Sequence, residues 1–141
     1  MKETASFFKV LADEARLKML WLLFNHKELC VCDFIEVLGI TQSKASRHLR
    51  ILYRAKLVTD RREGLWVYYA LRTLNDGLAK RHLEILRSYL AKRPDAARLL
   101  KRLSAWLRSK DGETSCIGKS VARLAPMINV TARSGVLNGG R

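Results

Sequence analysis

Apolar residues recur at helical spacing near the start of the chain: Phe7, Phe8, Val10 and Leu11, then Ala15, Met19, Leu20, Leu22, Leu23 and Phe24. This predicts two helices before Asn25. Asp13 and Glu14 suit the first turn of the second, where a carboxylate meets the positive end of the helix dipole. A third helix is expected from about Cys32 to Leu38, stopped at Gly39, a residue that accepts positive φ. Thr41 can cap a fourth, Gln42 to about Lys56, with Ile40 and Ala45 at hydrophobic-staple positions. On that helix Ala45, Leu49, Leu52 and Ala55 share one face, while Ser43, Ser46, Arg47, Arg50 and Arg54 follow another. One face packs and the other can enter a groove.

From Leu57 to Leu71 the period falls to two on either side of Glu63-Gly64, as expected for a β-hairpin with Val67, Tyr69 and Leu71 on one side. Arg61 and Arg62 near its tip make it a basic wing. Leu78, His82, Ile85, Leu86 and Tyr89 then form an apolar stripe on a helix ending near Ala91. His82, inside that stripe, reads as a packed histidine. Pro94-Asp95 opens another helix through Ala96, Leu99, Leu100, Leu103, Trp106 and Leu107. From Asp111 onward periodicity is lost and Gly, Ser, Thr and Asn accumulate, so a flexible tail is expected. The pattern is mainly α with a small β-hairpin, a winged helix-turn-helix.

Length and charge narrow the reading. At 141 residues the chain suits one domain with an appendage. Apolar residues make up 48% of it but never run for the ~18 positions a bilayer requires. The charged start MKETASFFK offers no signal-peptide core, so a soluble, cytoplasmic protein is expected. Lys and Arg total 27 against 13 acidic residues, a formal net charge of +14, which points to a polyanionic partner, nucleic acid before membrane. Ten of those cations fall between Lys80 and Lys110 against only Glu84 and Asp95. That segment reads equally as a solvated face or as a DNA contact.

Two of the three cysteines, Cys30 and Cys32, stand two apart just before the third helix. CxC is a poor spacing for a bridge within a domain, so reduced thiols are expected. Thiolates suit soft metals, and a helix N-terminus favours their ionised form. Residues two apart on a regular helix diverge by about 200°, so one ion can take both sulfurs only if the first turn is unwound or has not begun. Ligand binding is therefore expected to distort the start of the third helix and shift the fourth against it.

The run LCVCDFIEVLGITQSKASRHLRILYRAKLV followed by DRREGLWVYYAL closely resembles the ArsR/SmtB-type metalloregulatory repressors, over roughly Leu11 to Tyr89. The resemblance implies a homodimer with terminal dimerisation helices that binds an imperfect palindrome of double-stranded DNA and leaves it when a metalloid binds. Residues 1–92 would then be the DNA-binding and dimerisation domain, 93–110 an additional C-terminal helix and 111–141 the tail. Gln42, Ser43, Lys44, Ser46 and Arg47 occupy the base-reading start of the recognition helix, with His48 beside them. Arg47 and Gln42 are candidates for guanine and adenine; Lys44, Arg50, Arg61 and Arg62 suit phosphates.

Within the resemblance, Cys30 and Cys32 are the metal ligands, with trivalent arsenic or antimony as inducer and no cofactor required. Arsenic-sensing relatives often carry a third cysteine where this chain has Ile35. His82 and Glu84 do not match the residue pairs of the zinc sensors. Cys116 is the remaining thiol, either a third ligand or a bystander. Trivalent arsenic forms three bonds, so arsenite or antimonite would use all three thiols, whereas a methylated or aryl arsenical needs only two. Cadmium or lead remain alternative inducers. A thiol-disulfide redox protein and a ligand-independent architectural DNA binder remain alternative classes, although no catalytic His/Asp constellation favours an enzyme.

Overall fold

The computed structural model describes residues 1–111. Asp111, the first residue of the expected tail, still belongs to the last helix; the rest of that segment, and with it Cys116, lies outside the described residues. Elements run α1 (Lys2–Leu11), α2 (Glu14–Asn25), β1 (Leu29–Cys30), α3 (Val31–Leu38), α4 (Gln42–Arg54), β2 (Val58–Glu63), β3 (Trp66–Leu71), α5 (Gly77–Leu90) and α6 (Pro94–Asp111). The wing hairpin pairs in antiparallel register from Val58 opposite Leu71 to Glu63 opposite Trp66. β1 adds to its far side, Leu29 opposite Tyr69 and Cys30 opposite Tyr68, giving the order β1-β3-β2. A two-residue strand is too short to leave a periodic signal, so β1 was not legible in the pattern.

Local chemistry sets the boundaries. Asp13 is the N-cap of α2 rather than part of its first turn, accepting from the Arg16 backbone N–H at 3.2 Å. Gly39 ends α3 at φ +66°, and Thr41 Oγ1 accepts from the Lys44 N–H at 3.1 Å to start α4. α4 stops two residues short of Lys56, which adopts φ +63° while the Leu57 N–H reaches back to the Leu52 carbonyl at 3.0 Å. This is a Schellman closure with lysine in the place glycine usually takes.

Met19, Leu20, Leu22, Phe34, Leu49, Leu52, Leu57 and Val58 form the centre of the core. The additional helix α6 belongs to this same core: Ala96, Leu99, Leu103 and Trp106 are buried against α2 and α3. Trp21 Nε1 donates to the Ala96 carbonyl at 2.9 Å, fixing the start of α6. Burying Leu103 alone contributes about 1.5–3 kcal/mol. By contrast, α1 has no buried residue and α5 has Leu83 alone, so most of the α5 apolar stripe faces outward. His82 packs edge-on against Phe7 and Phe8, with Nδ1 3.0 Å from the Leu78 carbonyl, in keeping with the packed reading.

Candidate nucleic-acid interface and thiol site

Cys30 lies outside α3. It is the N-cap, extended at φ −88°, ψ 165°, and the helix begins at Val31. The 200° divergence of a regular helix therefore does not apply, and the Cα atoms of Cys30 and Cys32 stand 5.4 Å apart. The structure joins the two as a disulfide, which corrects the expectation of reduced thiols. An extended cap residue turns its side chain back over the first turn, so this pair reaches a geometry that CxC spacing alone does not suggest. No unwinding is needed to bring both sulfurs to one ion.

Cys30, Cys32 and Asp33 place their ligand atoms within 4.8 Å of one another, all buried. Asp33 is already committed: Oδ2 accepts from the Cys30 N–H at 2.8 Å, and Oδ1 accepts from Trp106 Nε1 at 2.8 Å and Lys110 Nζ at 2.6 Å. The donor set thus offers an ion two sulfurs, with the carboxylate serving the fold. Ile35, where a third cysteine was considered, lines the same opening. Neither Asp33 nor its two α6 partners was singled out from sequence. The amphipathic spacing of Trp106 and Lys110, one turn apart, was the available signal.

The two cysteines form part of the wall of a cleft of about 880 Å³ between α3, α4 and the wing. Gln42, Ser46, Arg50 and Arg62 line the same cleft, together with Ile40, Trp66 and Tyr69. Gln42, Ser43, Lys44, Arg47 and Arg50 are exposed on α4, and Ser46 is half-buried. Two of the anticipated contacts sit elsewhere. His48 is 8% exposed and turned toward α2, where Arg16 Nη1 lies 3.0 Å from its Nδ1. A guanidinium only donates, so Nδ1 accepts and the ring is neutral; burial pushes its pKa down, outweighing the pull of Asp13. His48 thereby ties α4 to Arg16, which also donates to the Val10 carbonyl at 2.7 Å. It is not on the groove face.

Arg61 is the second departure. Its guanidinium forms a two-point pair with Glu28, at 2.9 and 2.8 Å, and bonds to Glu63 as well. The hydrogen bond from Arg61 holds the Glu28 carboxyl below the usual carboxylate range. Arg61 also lies over the Tyr68 ring, 4.6 Å from its centroid. Alternation along β2 sends Arg61 and Arg62 to opposite faces, so only Arg62 joins the cleft.

The fold and this arrangement define a winged helix-turn-helix regulator. The family description "Bacterial regulatory protein, arsR family" matches residues 13–60. An arsenical resistance operon repressor of Bacillus subtilis is 47% identical over 64 residues, which cover 45% of this chain and 61% of that protein. The arsenic resistance transcriptional regulator ArsR1 of Pseudomonas putida is 41% identical over 96 residues, 65% of this chain and 73% of that one. Among solved structures, reduced HlyU from Vibrio cholerae superposes with a TM-score of 0.54 at 32% identity, covering 62% of this chain and 88% of that one. The chain belongs to the arsR family of bacterial regulatory proteins. No helix among the described residues is long and apolar enough to cross a membrane.

Proposed function

We propose that this protein is a repressor of a metalloid-resistance operon that binds an imperfect DNA palindrome as a homodimer and is released when trivalent arsenic or antimony binds Cys30 and Cys32. The observation that carries the reading is the shared cleft: Cys30 and Cys32 and the α4 and wing residues Gln42, Ser46, Arg50 and Arg62 line one cavity. A ligand held by the sulfurs intrudes where DNA would be read. Each state excludes the other by a coupling of a few kcal/mol. Gln42 and Arg47 are assigned to bases, with Ser43 and Ser46 beside them at the start of the recognition helix; Lys44, Arg50 and Arg62 position the phosphates.

A second copy supplies the other half-site. Phe8 of α1 and Leu78, Ile85 and Tyr89 of α5 are exposed, Ile85 at 63%. On α5 they fall at i, i+7 and i+11, one stripe, and His82 joins it to α1. Such an apolar face suits a twofold interface.

Because Asp33 is occupied, two thiols favour a monosubstituted arsenical, and arsenite requires a third thiol such as Cys116. Operator release should therefore be titrated on reduced protein with arsenite, phenylarsine oxide, cadmium, lead and zinc. Cys30→Ser is expected to abolish release by every arsenical, whereas Cys116→Ser impairs arsenite far more than phenylarsine oxide. Release of Cys30→Ser at wild-type concentrations would end the proposal.

The disulfide favours a second reading in which oxidation of the pair is the signal. Comparing operator affinity after dithiothreitol and after diamide separates the two: an oxidant-only response supports the redox sensor.

A further inference from the structure

The family match ends at residue 60, well before α6, yet α6 supplies two donors to Asp33, the residue next to Cys32. Trp106 and Lys110, one turn apart, converge on a single oxygen of Asp33, whose other oxygen holds the Cys30 backbone N–H. The Asp33 side chain is 3% exposed and that of Lys110 16%. A buried ion pair is a weak source of net stability, since desolvation offsets most of the attraction. Its definite effect is positional.

We propose that α6 is a working part of the thiol site: Trp106 and Lys110 are positioning residues that lock Asp33, and Asp33 fixes Cys30 at the cap so that its sulfur stays beside that of Cys32. Charge-assisted bonds of this kind hold one rotamer where a free carboxylate would sample several. With the clamp intact the two sulfurs are preorganised, and any ligand or partner that must engage both at once binds without first ordering the cap. Without it, Cys30 loses the carboxylate that fixes its backbone N–H at the cap, and its sulfur is held less firmly beside that of Cys32. The proposal rests on the reading above only in taking an arsenical as the natural ligand; the pairing of the sulfurs stands apart from it.

The test measures that pairing directly, in the full chain carrying Cys116→Ser. Equilibration with glutathione converts two protein thiols and one glutathione disulfide into the Cys30–Cys32 disulfide and two glutathione thiols, and yields the effective concentration of one sulfur at the other. Trp106→Phe and Lys110→Ala are each expected to lower it about tenfold, the low end for loss of a supporting hydrogen bond. Lys110→Arg, which keeps a cationic donor, should restore most of it. Trp21→Phe removes the other α6 anchor, to Ala96, and should leave it unchanged.

Phenylarsine oxide affinity of the reduced variants, read from sulfur–arsenic absorbance, should fall in parallel. Equal losses in Trp21→Phe and Trp106→Phe would reduce the clamp to general packing and overturn it. Wild-type values in both Lys110→Ala and Trp106→Phe would do the same. If glutathione shows the expected losses while wild type ignores phenylarsine oxide, the clamp stands and the arsenical reading falls.

Discussion

Helices α4 and α6 are both amphipathic and basic, and they are used in opposite ways. α4 buries Ala45, Leu49 and Leu52 and leaves Lys44, Arg47 and Arg50 in solvent, Arg50 on the wall of the cleft. α6 buries Leu99, Leu103 and Trp106 and draws one of its cations, Lys110, down onto a carboxylate inside the protein. A cation's role follows from what its helix docks against, because an exposed charge stays free to meet a polyanion whereas one drawn onto a buried carboxylate is fixed in position.

The comparison can be broken most forcefully at Leu103, which is fully buried. Leu103→Ala should cost about 2–5 kcal/mol in urea denaturation, whereas Arg47→Ala on α4 should stay within about 0.5 kcal/mol. Comparable losses would mean that α4 and α6 are not divided into reading and packing helices. Next, Arg47→Ala and Gln42→Ala should each weaken operator binding by about 1–3 kcal/mol and relax preference at one base position, measured by anisotropy on operator and scrambled duplexes. Leu103→Ala, at temperatures where it is folded, should keep the wild-type preference.

A smaller effect separates the two wing arginines. Arg62→Ala should weaken binding to all sequences alike and reduce the salt slope by about one. Arg61→Ala should leave the slope nearly unchanged, since its guanidinium is held by Glu28 and Glu63, and should instead loosen the wing from the turn before β1. Equal slopes for the two variants would return Arg61 to the DNA.

The smallest expected effect is a pH dependence from His48. Burial lowers its pKa below the ordinary 6.5, so as pH falls through that value the unfolded chain takes up the proton first and stability declines. The contribution is fully present above about pH 7 and lost as pH drops toward the lowered folded value. His48→Gln should flatten the difference between denaturation midpoints at pH 7.5 and 5.5. Asp13, also held low because the Arg16 backbone N–H and guanidinium outweigh its burial, titrates below that window. An unchanged difference in His48→Gln would place the ring in solvent and restore it to the groove face.

Much of the scaffold was legible because it is local. Gly39, Thr41 and the alternation around Glu63-Gly64 act within a few residues of themselves, so turn, cap and wing followed from chain chemistry. The exposed face of α4 and the nearness of Cys30 and Cys32 to a helix start were equally readable. The end of α4 was placed two residues too far, since nothing in lysine announces a left-handed Lys56. The partners of His48 and Arg61 were hidden for a different reason: each sits among cations in sequence, and its partner comes from a distant element, Arg16 for one and Glu28 for the other.

The sequence by itself determined the class of the molecule, through helix periods, a basic recognition face and a CxC pair beside it. Only the tertiary structure decided which donors the pair has for neighbours. Asp33 meets Trp106 and Lys110 across 73 and 77 residues of chain. No periodicity encodes such a contact, because it exists only once α6 has buried its apolar stripe against α2 and α3.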